Sequence, residues 1–145
     1  REHGAGDDWH VKRKRGGIVD LEFLAQYLQL RHAAERPEVL STNTLQAFER
    51  LAAAGCLDAA TAETLCNGVR FWQGLQSMLR LTVGEAFDEA SATDGLRALL
   101  ARAGGAEDFD DLKRSIAVTA EAVYEIFQAM IEEPAADVAR SATGE

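Results

Sequence analysis

Residues 11–30 read VKRKRGGIVDLEFLAQYLQL, a stretch that joins a basic run and two glycines to an apolar segment. The basic run is Lys12 to Arg15, and Gly16 and Gly17 follow it directly. Apolar residues then recur at intervals of three and four, which is typical of an amphipathic helix that buries one face. They are Ile18, Leu21, Leu24, Ala25 and Leu28. The spacing predicts a helix over about residues 18–34.

The same periodicity assigns the remaining side chains of this helix to faces. Phe23, Tyr27 and Leu30 are expected to widen the buried face, whereas Glu22, Gln26 and Gln29 are expected to form one polar stripe. Asp20 and Glu22 are separated by roughly 200° around a helix, so an intact helix does not let them chelate one ion together.

A basic run followed by glycines at the start of a helix is suited to binding phosphate. The first backbone N–H groups of a helix are unpaired and carry partial positive charge, and glycines let a ligand approach them. A purely structural interpretation fits the same residues: the glycines form a bend, the cations are solvated, and Asp20 and Glu22 are acids favoured at a helix start. Spacing alone leaves both interpretations open.

Downstream of this helix, the sequence predicts four more helices. Asn43 and Gln46 resemble a capping box that begins the second, and Gly55 is expected to end it in the left-handed conformation. Asp58 is expected to cap the longest helix, up to about residue 81. After a polar connector at 83–93, a short helix ends at residues 104–105, and Asp108 or Asp110 begins the last helix, which precedes Pro134.

Five helices joined by short connectors predict an all-α fold, an antiparallel bundle. The two longest helices are expected to form its spine through residues spaced seven apart: Leu65, Trp72 and Leu79 in one, and Ile116, Val123 and Met130 in the other. Residues 1–15 are interpreted as a linker or extended remnant of an upstream domain, with Trp9 at an exposed seam. Residues 16–133 form the bundle, and residues 134–145 form a disordered tail.

Composition limits the classes of function. The chain has 145 residues, enough for one domain with its own core, and a formal net charge of −9. An acidic body repels polyanions, so nucleic-acid binding is disfavoured despite the basic run. No segment approaches the ~20 apolar residues of a membrane span. The two cysteines and three histidines lack metal-ligand spacing, and a reduced, cytoplasmic location is expected.

The segment GGIVDLEF at residues 16–23, with cations before it and AQYLQL at 25–30 after it, resembles a known family. It is similar to the segment that joins the catalytic and helical domains of bacterial glutamine synthetase adenylyltransferase. Further matching stretches follow in the same order, and the resemblance covers most of residues 11–131. They are residues 41–45, residues 51–58, Arg70-Phe71-Trp72 and residues 79–81.

This resemblance implies that the chain is the helical part of an enzyme that transfers AMP from ATP to glutamine synthetase. The catalytic carboxylates, with ATP and Mg²⁺, are expected in a domain upstream of Arg1, so the chain alone is expected to be inactive. Its position suggests the carboxy-terminal, attaching half of that enzyme. The resemblance places six residues near the nucleotide phosphates: Lys12, Arg15, Gly16, Gly17, Asp20 and Glu22. Expected partners are glutamine synthetase, a PII-type signalling protein and the missing catalytic domain.

Three alternatives are kept. The chain is a pure interaction module that binds a PII-type protein, or the helical domain of a PII uridylyltransferase, which has a similar Gly-Gly-x-x-Asp segment, or an unrelated helical adaptor. The Glu22-Phe23 continuation favours the adenylyltransferase over the uridylyltransferase. At Gln76 and Arg80 the chain has different residues from those that adenylyltransferases often carry. Any role that the family assigns to these two positions is therefore not expected of this chain.

Overall fold

A computed structural model describes residues 9–82 and 87–143, most of which are helical. The α-helices are α1 (Ile18–His32), α2 (Thr44–Ala53), α3 (Ala59–Thr82), α4 (Asp94–Ala103), α5 (Phe109–Phe127) and α6 (Glu133–Thr143). Two 3₁₀ turns occur at Pro37–Val39 and Glu89–Ser91, and a π-helical stretch at Gln128–Glu132 joins α5 to α6 without a break. The described residues therefore form five helical bodies and no strand, which confirms the all-α prediction.

Helix boundaries follow the local signals of the sequence. Asn43 accepts a hydrogen bond from the Gln46 N–H at 2.8 Å to start α2, and Asp108 accepts one from the Asp111 N–H at 2.8 Å to start α5. Asp58 caps α3 by accepting from the Thr61 N–H at 3.3 Å. Gly55 has a φ of +81°, as expected for the residue that ends α2.

The core is organised around α3, which contacts α1, α2, α4 and α5. Trp72 is fully buried at its centre, between Leu65 and Leu79 on the same face. Ile116 and Val123 of α5 are also buried, as predicted for the spine of two long helices, whereas Met130 is only half-buried and lies in the π-helical stretch after α5. At Gly68 a Cβ would lie 3.0 Å from Val123 Cγ2, which shows why α3 carries a glycine where α5 approaches.

The amino-terminal segment is packed into the core instead of extended. Trp9 is only 5% exposed, stacks on Phe109 at 5.5 Å between ring centroids and meets Phe87 edge-on at 4.8 Å. Val11 is also buried. The expectation that Trp9 marks an exposed seam is therefore wrong, because the ends of α5 and of the 87–93 connector supply an apolar pocket for it.

The structure also differs from expectation after Pro134. Residues 133–143 form α6, where a frayed tail was expected, and residues 144–145 lie outside the described part. Pro134 lacks an N–H and its ring crowds the preceding turn, so it normally interrupts a helix. The wider π-helical turn at Gln128–Glu132 precedes it, and this turn allows the helix to continue. Residues 1–8, expected to be part of a linker, and residues 83–86, expected to be part of a polar connector, also lie outside the described residues.

Side chains of α1 divide differently from the predicted faces. The five residues of the apolar repeat are buried, but Phe23 is 50% exposed and Leu30 is 83% exposed. Gln29, expected on a polar surface stripe, is instead buried. Its side-chain N–H₂ donates to the Ala25 carbonyl at 3.1 Å, and its oxygen accepts from the Ser41 N–H at 2.7 Å. Because this amide has partners at both ends, burial leaves no unpaired polar group.

Candidate functional site

The corner formed by residues 11–20 differs from an open phosphate site. The N–H groups of Ile18 and Val19 donate to the carbonyls of Val11 and Lys12, each at 3.1 Å. The Gly17 N–H donates to the Lys14 carbonyl at 2.7 Å. The backbone donors on which the phosphate hypothesis depends are thus engaged within the chain, and the start of α1 does not offer them to a ligand.

Gly16 and Gly17 are required by close packing. Gly16 has a φ of +77°, and a Cβ there would lie 2.0 Å from the Ala120 carbonyl oxygen of α5. A Cβ on Gly17 would lie 2.2 Å from the Val11 carbonyl oxygen. The buried indole N–H of Trp72 donates to the Gly16 carbonyl at 2.9 Å. These contacts account for both glycines without a bound ligand.

The two acids of the corner point to different places. Asp20 is half-buried and accepts a hydrogen bond from the Gly16 N–H at 2.7 Å, so it holds the turn before α1. Glu22 is exposed and lines an open cavity of about 640 Å³ between α1 and residues 41–44. The two carboxylates therefore do not share one site, as their spacing predicts. Among residues 9–82 and 87–143, no group of three or more His, Cys, Asp or Glu side chains is arranged to hold a metal ion.

Arg15 is bound to the side of α5. Its guanidinium lies 4.7 Å from the centroid of the Tyr124 ring, and Nη1 donates to the Tyr124 hydroxyl. That hydroxyl donates in turn to Glu132 at 2.9 Å. Burial and the hydrogen bond to Glu132 raise the pKa of the Tyr124 phenol, which Arg15 opposes. The sequence carries no signal for this contact, because Arg15 and Tyr124 are 109 residues apart.

Lys12 lies on a different side of the corner from these Arg15 contacts. It is exposed and lines a cavity of about 400 Å³ together with Arg13 and His10 from the same turn and Arg80 from the last turns of α3. The apolar walls of this cavity include Trp9, Val11 and Leu79. Sequence spacing does not bring Arg80 to the basic run, so only the fold brings these cations together. We call this cavity the basic notch.

An apolar stripe on the outside of α1 is the other prominent feature of this region. Val19, Phe23 and Leu30 are 43%, 50% and 83% exposed. Their spacing places all three within about 40° of one another around the helix, by its 3.6-residue turn. Phe23 meets Phe127 of α5 at 6.0 Å between ring centroids, and Phe127 stacks on Tyr124. This α1 stripe, defined by Val19, Phe23 and Leu30, is an exposed row of apolar side chains, and Phe127 covers part of Phe23.

Within the described ranges, no helix combines the length and apolar character needed to cross a bilayer.

Comparison with known proteins identifies relatives over almost the whole chain. The family model of the GlnD PII-uridylyltransferase matches residues 2–131. The chain is 42% identical over 131 residues to the bifunctional glutamine synthetase adenylyltransferase/adenylyl-removing enzyme of Rhodopseudomonas palustris (strain TIE-1), covering 90% of this chain and 13% of that protein. It is 43% identical over 131 residues to the enzyme of the same name from Xanthobacter autotrophicus, with the same coverage.

A third enzyme of that name, from Bradyrhizobium diazoefficiens, is 38% identical over 132 residues, which are 91% of this chain and 13% of the relative. No solved structure matches the chain. The chain thus spans about 13% of the length of these relatives. The resemblance inferred from residues 16–30 is confirmed by this similarity. The chain belongs to the GlnD PII-uridylyltransferase family, and over nine tenths of its length it is similar to bifunctional glutamine synthetase adenylyltransferase/adenylyl-removing enzymes.

Proposed function

We propose that this chain is the helical part of a glutamine synthetase adenylyltransferase, where it supports the domain that transfers AMP from ATP to glutamine synthetase. The names of relatives at 38–43% identity support this reaction over the other functions of the family. In this proposal ATP and Mg²⁺ are held by carboxylates outside the chain, the chain alone is inactive, and the protein works in the cytoplasm.

The observation that carries the proposal is the α1 stripe. Phe23 and Leu30 are both exposed on the helix that follows the basic run, and burying a fully exposed side chain of this size contributes about 1.5–3 kcal/mol. Exposed apolar side chains grouped on one face of a helix are suited to contact another domain. The stripe begins ten residues after Trp9, so any domain attached before Trp9 in a longer chain is held close to this face at high effective concentration. We infer that the catalytic domain covers the stripe.

This proposal is tested in the intact adenylyltransferase that contains the chain, with the double variant Phe23→Ala/Leu30→Ala. Transfer of labelled AMP to glutamine synthetase should fall about tenfold or more, because the domains lose apolar contact that holds them in register. In the isolated chain the same variant should cost only about 1 kcal/mol in urea unfolding, since Leu30 is exposed and Phe23 contributes one aromatic pair.

A matched control is Leu81→Ala/Val118→Ala, which removes two apolar side chains that are 82% and 66% exposed elsewhere. Val118 lies on the side of α5 opposite Phe127, nine residues away. This control should leave AMP transfer within twofold of the unsubstituted protein. Equal activity losses in both double variants would contradict the docking role of the stripe. If the unsubstituted protein transferred no AMP, the assignment as an adenylyltransferase would be wrong.

A second function is favoured by the description of the matched family, which names a PII-uridylyltransferase. In that case the helical part supports transfer of UMP from UTP to a PII-type signalling protein. The same intact protein distinguishes the two reactions when it is given labelled ATP with glutamine synthetase, or labelled UTP with the PII-type protein. We expect label on glutamine synthetase. Binding of the PII-type protein without transfer to it would fit an adenylyltransferase that receives a nitrogen signal through this partner.

Within the basic run, we propose that Lys12 is the residue near the nucleotide phosphates. The resemblance places both Lys12 and Arg15 near the nucleotide phosphates, but the Arg15 side chain contacts Tyr124 on α5. Lys12 is exposed and lines the basic notch. In this proposal Gly16, Gly17 and Asp20 shape the corner that presents Lys12, and Arg15 fixes that corner to the bundle.

A further inference from the structure

We propose that the basic notch is a binding site for adjacent phosphoryl groups, held by Lys12, Arg13 and Arg80. The notch lies between the turn at residues 9–13 and the carboxy-terminal turns of α3. It has a volume of about 400 Å³, which is within the usual size of small-ligand sites. The family resemblance places Lys12 near the nucleotide phosphates but gives no such role to Arg13 or Arg80.

The charge of the notch is opposite to that of the protein. The chain carries a formal net charge of −9, yet among residues 9–82 and 87–143 the ionisable ones that line the notch are Lys12, Arg13, Arg80 and His10, and none of these lining residues is an Asp or Glu. Within residues 9–82 and 87–143, Lys12, Arg13 and Arg80 form no ion pair with a carboxylate. Three cations gathered around one cavity repel each other, and a bound multivalent anion relieves that repulsion.

The backbone that carries these cations is fixed before any ligand binds. The Lys12 carbonyl accepts from the Val19 N–H of α1, and the Arg13 N–H donates to the His10 carbonyl at 3.1 Å. The neighbours Trp9, Val11 and Leu79 are buried, so the turn and the end of α3 are both anchored in the core. A site built on anchored backbone loses less conformational freedom when it binds.

The donor set matches phosphoryl oxygens. Each guanidinium presents a planar fork of N–H donors, and the ammonium of Lys12 presents three more. Two or three linked phosphoryl groups offer enough oxygens and charge to contact all three side chains, which a single carboxylate does not. The proposed function supplies such an anion, since transfer of AMP from ATP must release pyrophosphate. The naming of ATP or pyrophosphate as the ligand rests on the proposed function. The inference that the notch binds phosphoryl groups rests only on its side chains.

The test is a titration of the isotopically labelled chain with sodium pyrophosphate, and separately with ATP, followed by NMR at low salt. The indole N–H of Trp9 and the backbone amides of Lys12, Arg13 and Arg80 should shift in a saturable way with both ligands. The indole N–H of Trp72 is buried on the Gly16 carbonyl and serves as the internal reference. Shifts with ATP but none with pyrophosphate would overturn the inference, because phosphoryl groups would then not be what is recognised.

Arg80→Gln should weaken pyrophosphate binding about five- to tenfold, as expected for the loss of one charge-assisted contact at an exposed site. Arg31→Gln is the matched control: it removes one positive charge at the far end of α1, ~20 Å from the start of that helix. We expect this control to change the affinity less than twofold. If both variants weakened pyrophosphate binding equally, or if binding did not saturate by ~20 mM pyrophosphate, the proposed site would be contradicted.

The outcome is separable from that of the proposed function. Saturable binding in a protein that transfers no AMP would leave the notch and remove the adenylyltransferase assignment. AMP transfer by the intact protein, without pyrophosphate or ATP binding to the isolated chain, would support the adenylyltransferase assignment and contradict the phosphoryl site in the notch.

Discussion

At Gly16 the backbone has a φ of +77°, and the hydrogen of its Cα faces the Ala120 carbonyl oxygen. Any other residue places a Cβ 2.0 Å from that oxygen, a backbone atom in the middle of α5 that does not move without shifting the helix. The carbonyl of the same residue accepts the Trp72 indole N–H. One glycine thus joins the corner before α1 to both long helices of the core.

Replacing Gly16 by alanine should lower the free energy of unfolding by at least about 3 kcal/mol, because strain at positive φ and a backbone clash both contribute. Gly55→Ala separates these causes. Gly55 also has a positive φ, +81°, but nothing lies within 4 Å of its hypothetical Cβ. It should cost only about 1–2 kcal/mol, which is the strain alone. Urea denaturation measures both, and equal costs would contradict the packing role of Gly16.

Among the elements, the segment before α1 and the 3₁₀ turn Glu89–Ser91 hold each other in place. The Trp9 indole N–H donates to one carboxylate oxygen of Glu89 at 3.1 Å, and Lys113 of α5 donates to the other at 2.6 Å. Arg97 of α4 donates to the Glu89 carbonyl at 2.9 Å. A single carboxylate therefore links the amino-terminal segment to α5.

Burial disfavours the charged form of Glu89, but the hydrogen bonds from Lys113 and Trp9 outweigh it, and the pKa of this carboxyl is lowered. A lowered pKa in the folded state means that ionised Glu89 stabilises the fold above the unfolded pKa of about 4.3. That contribution is lost as the pH falls through the lower, folded value.

Glu89→Gln should therefore be less stable than the unsubstituted chain at pH 7, and the difference should shrink below about pH 4. Urea midpoints at pH 7, 5 and 3.5 measure this. The exposed Glu121→Gln serves as the control and should track the unsubstituted chain at every pH. A stability gap for Glu89→Gln that stays constant across this range would show that the carboxylate charge does not matter.

For the molecule as a whole, one hydrophobic cluster contains both Trp9, at the edge of the bundle, and Trp72, at its centre. A single continuous core in a chain of 145 residues favours one cooperative unfolding transition. The segment at residues 9–17 is then part of the folding unit and not an independent linker.

This cooperativity is measurable with Trp72→Phe, which leaves Trp9 as the only tryptophan, and Trp9→Phe, which leaves Trp72. Within each variant, tryptophan fluorescence and far-ultraviolet circular dichroism should report the same urea midpoint. If Trp9 fluorescence in the Trp72→Phe variant changes at lower urea than the helical signal, the amino-terminal segment detaches before the bundle unfolds.

Local interactions made much of this fold predictable. The buried repeat of α1, the caps at Asn43, Asp58 and Asp108, and the end of α2 at Gly55 depend on residues within four positions of each other. The family was predictable too, because GGIVDLEF is a contiguous stretch. The expected burial of Phe23 and Leu30 failed for a physical reason: periodicity identifies an apolar face but not whether another helix covers it.

The sequence by itself therefore determined α1 to α5, most of their boundaries and the resemblance to adenylyltransferases, since each depends on neighbouring residues or a contiguous motif, but it did not predict α6. Only the tertiary structure decided that Trp9 is buried, that Arg15 is engaged with Tyr124 and that Arg80 joins Lys12 in the basic notch. These contacts join residues more than 60 positions apart. They exist because α3 and α5 pack together in one core, and no local pattern encodes which distant side chains that packing brings into contact.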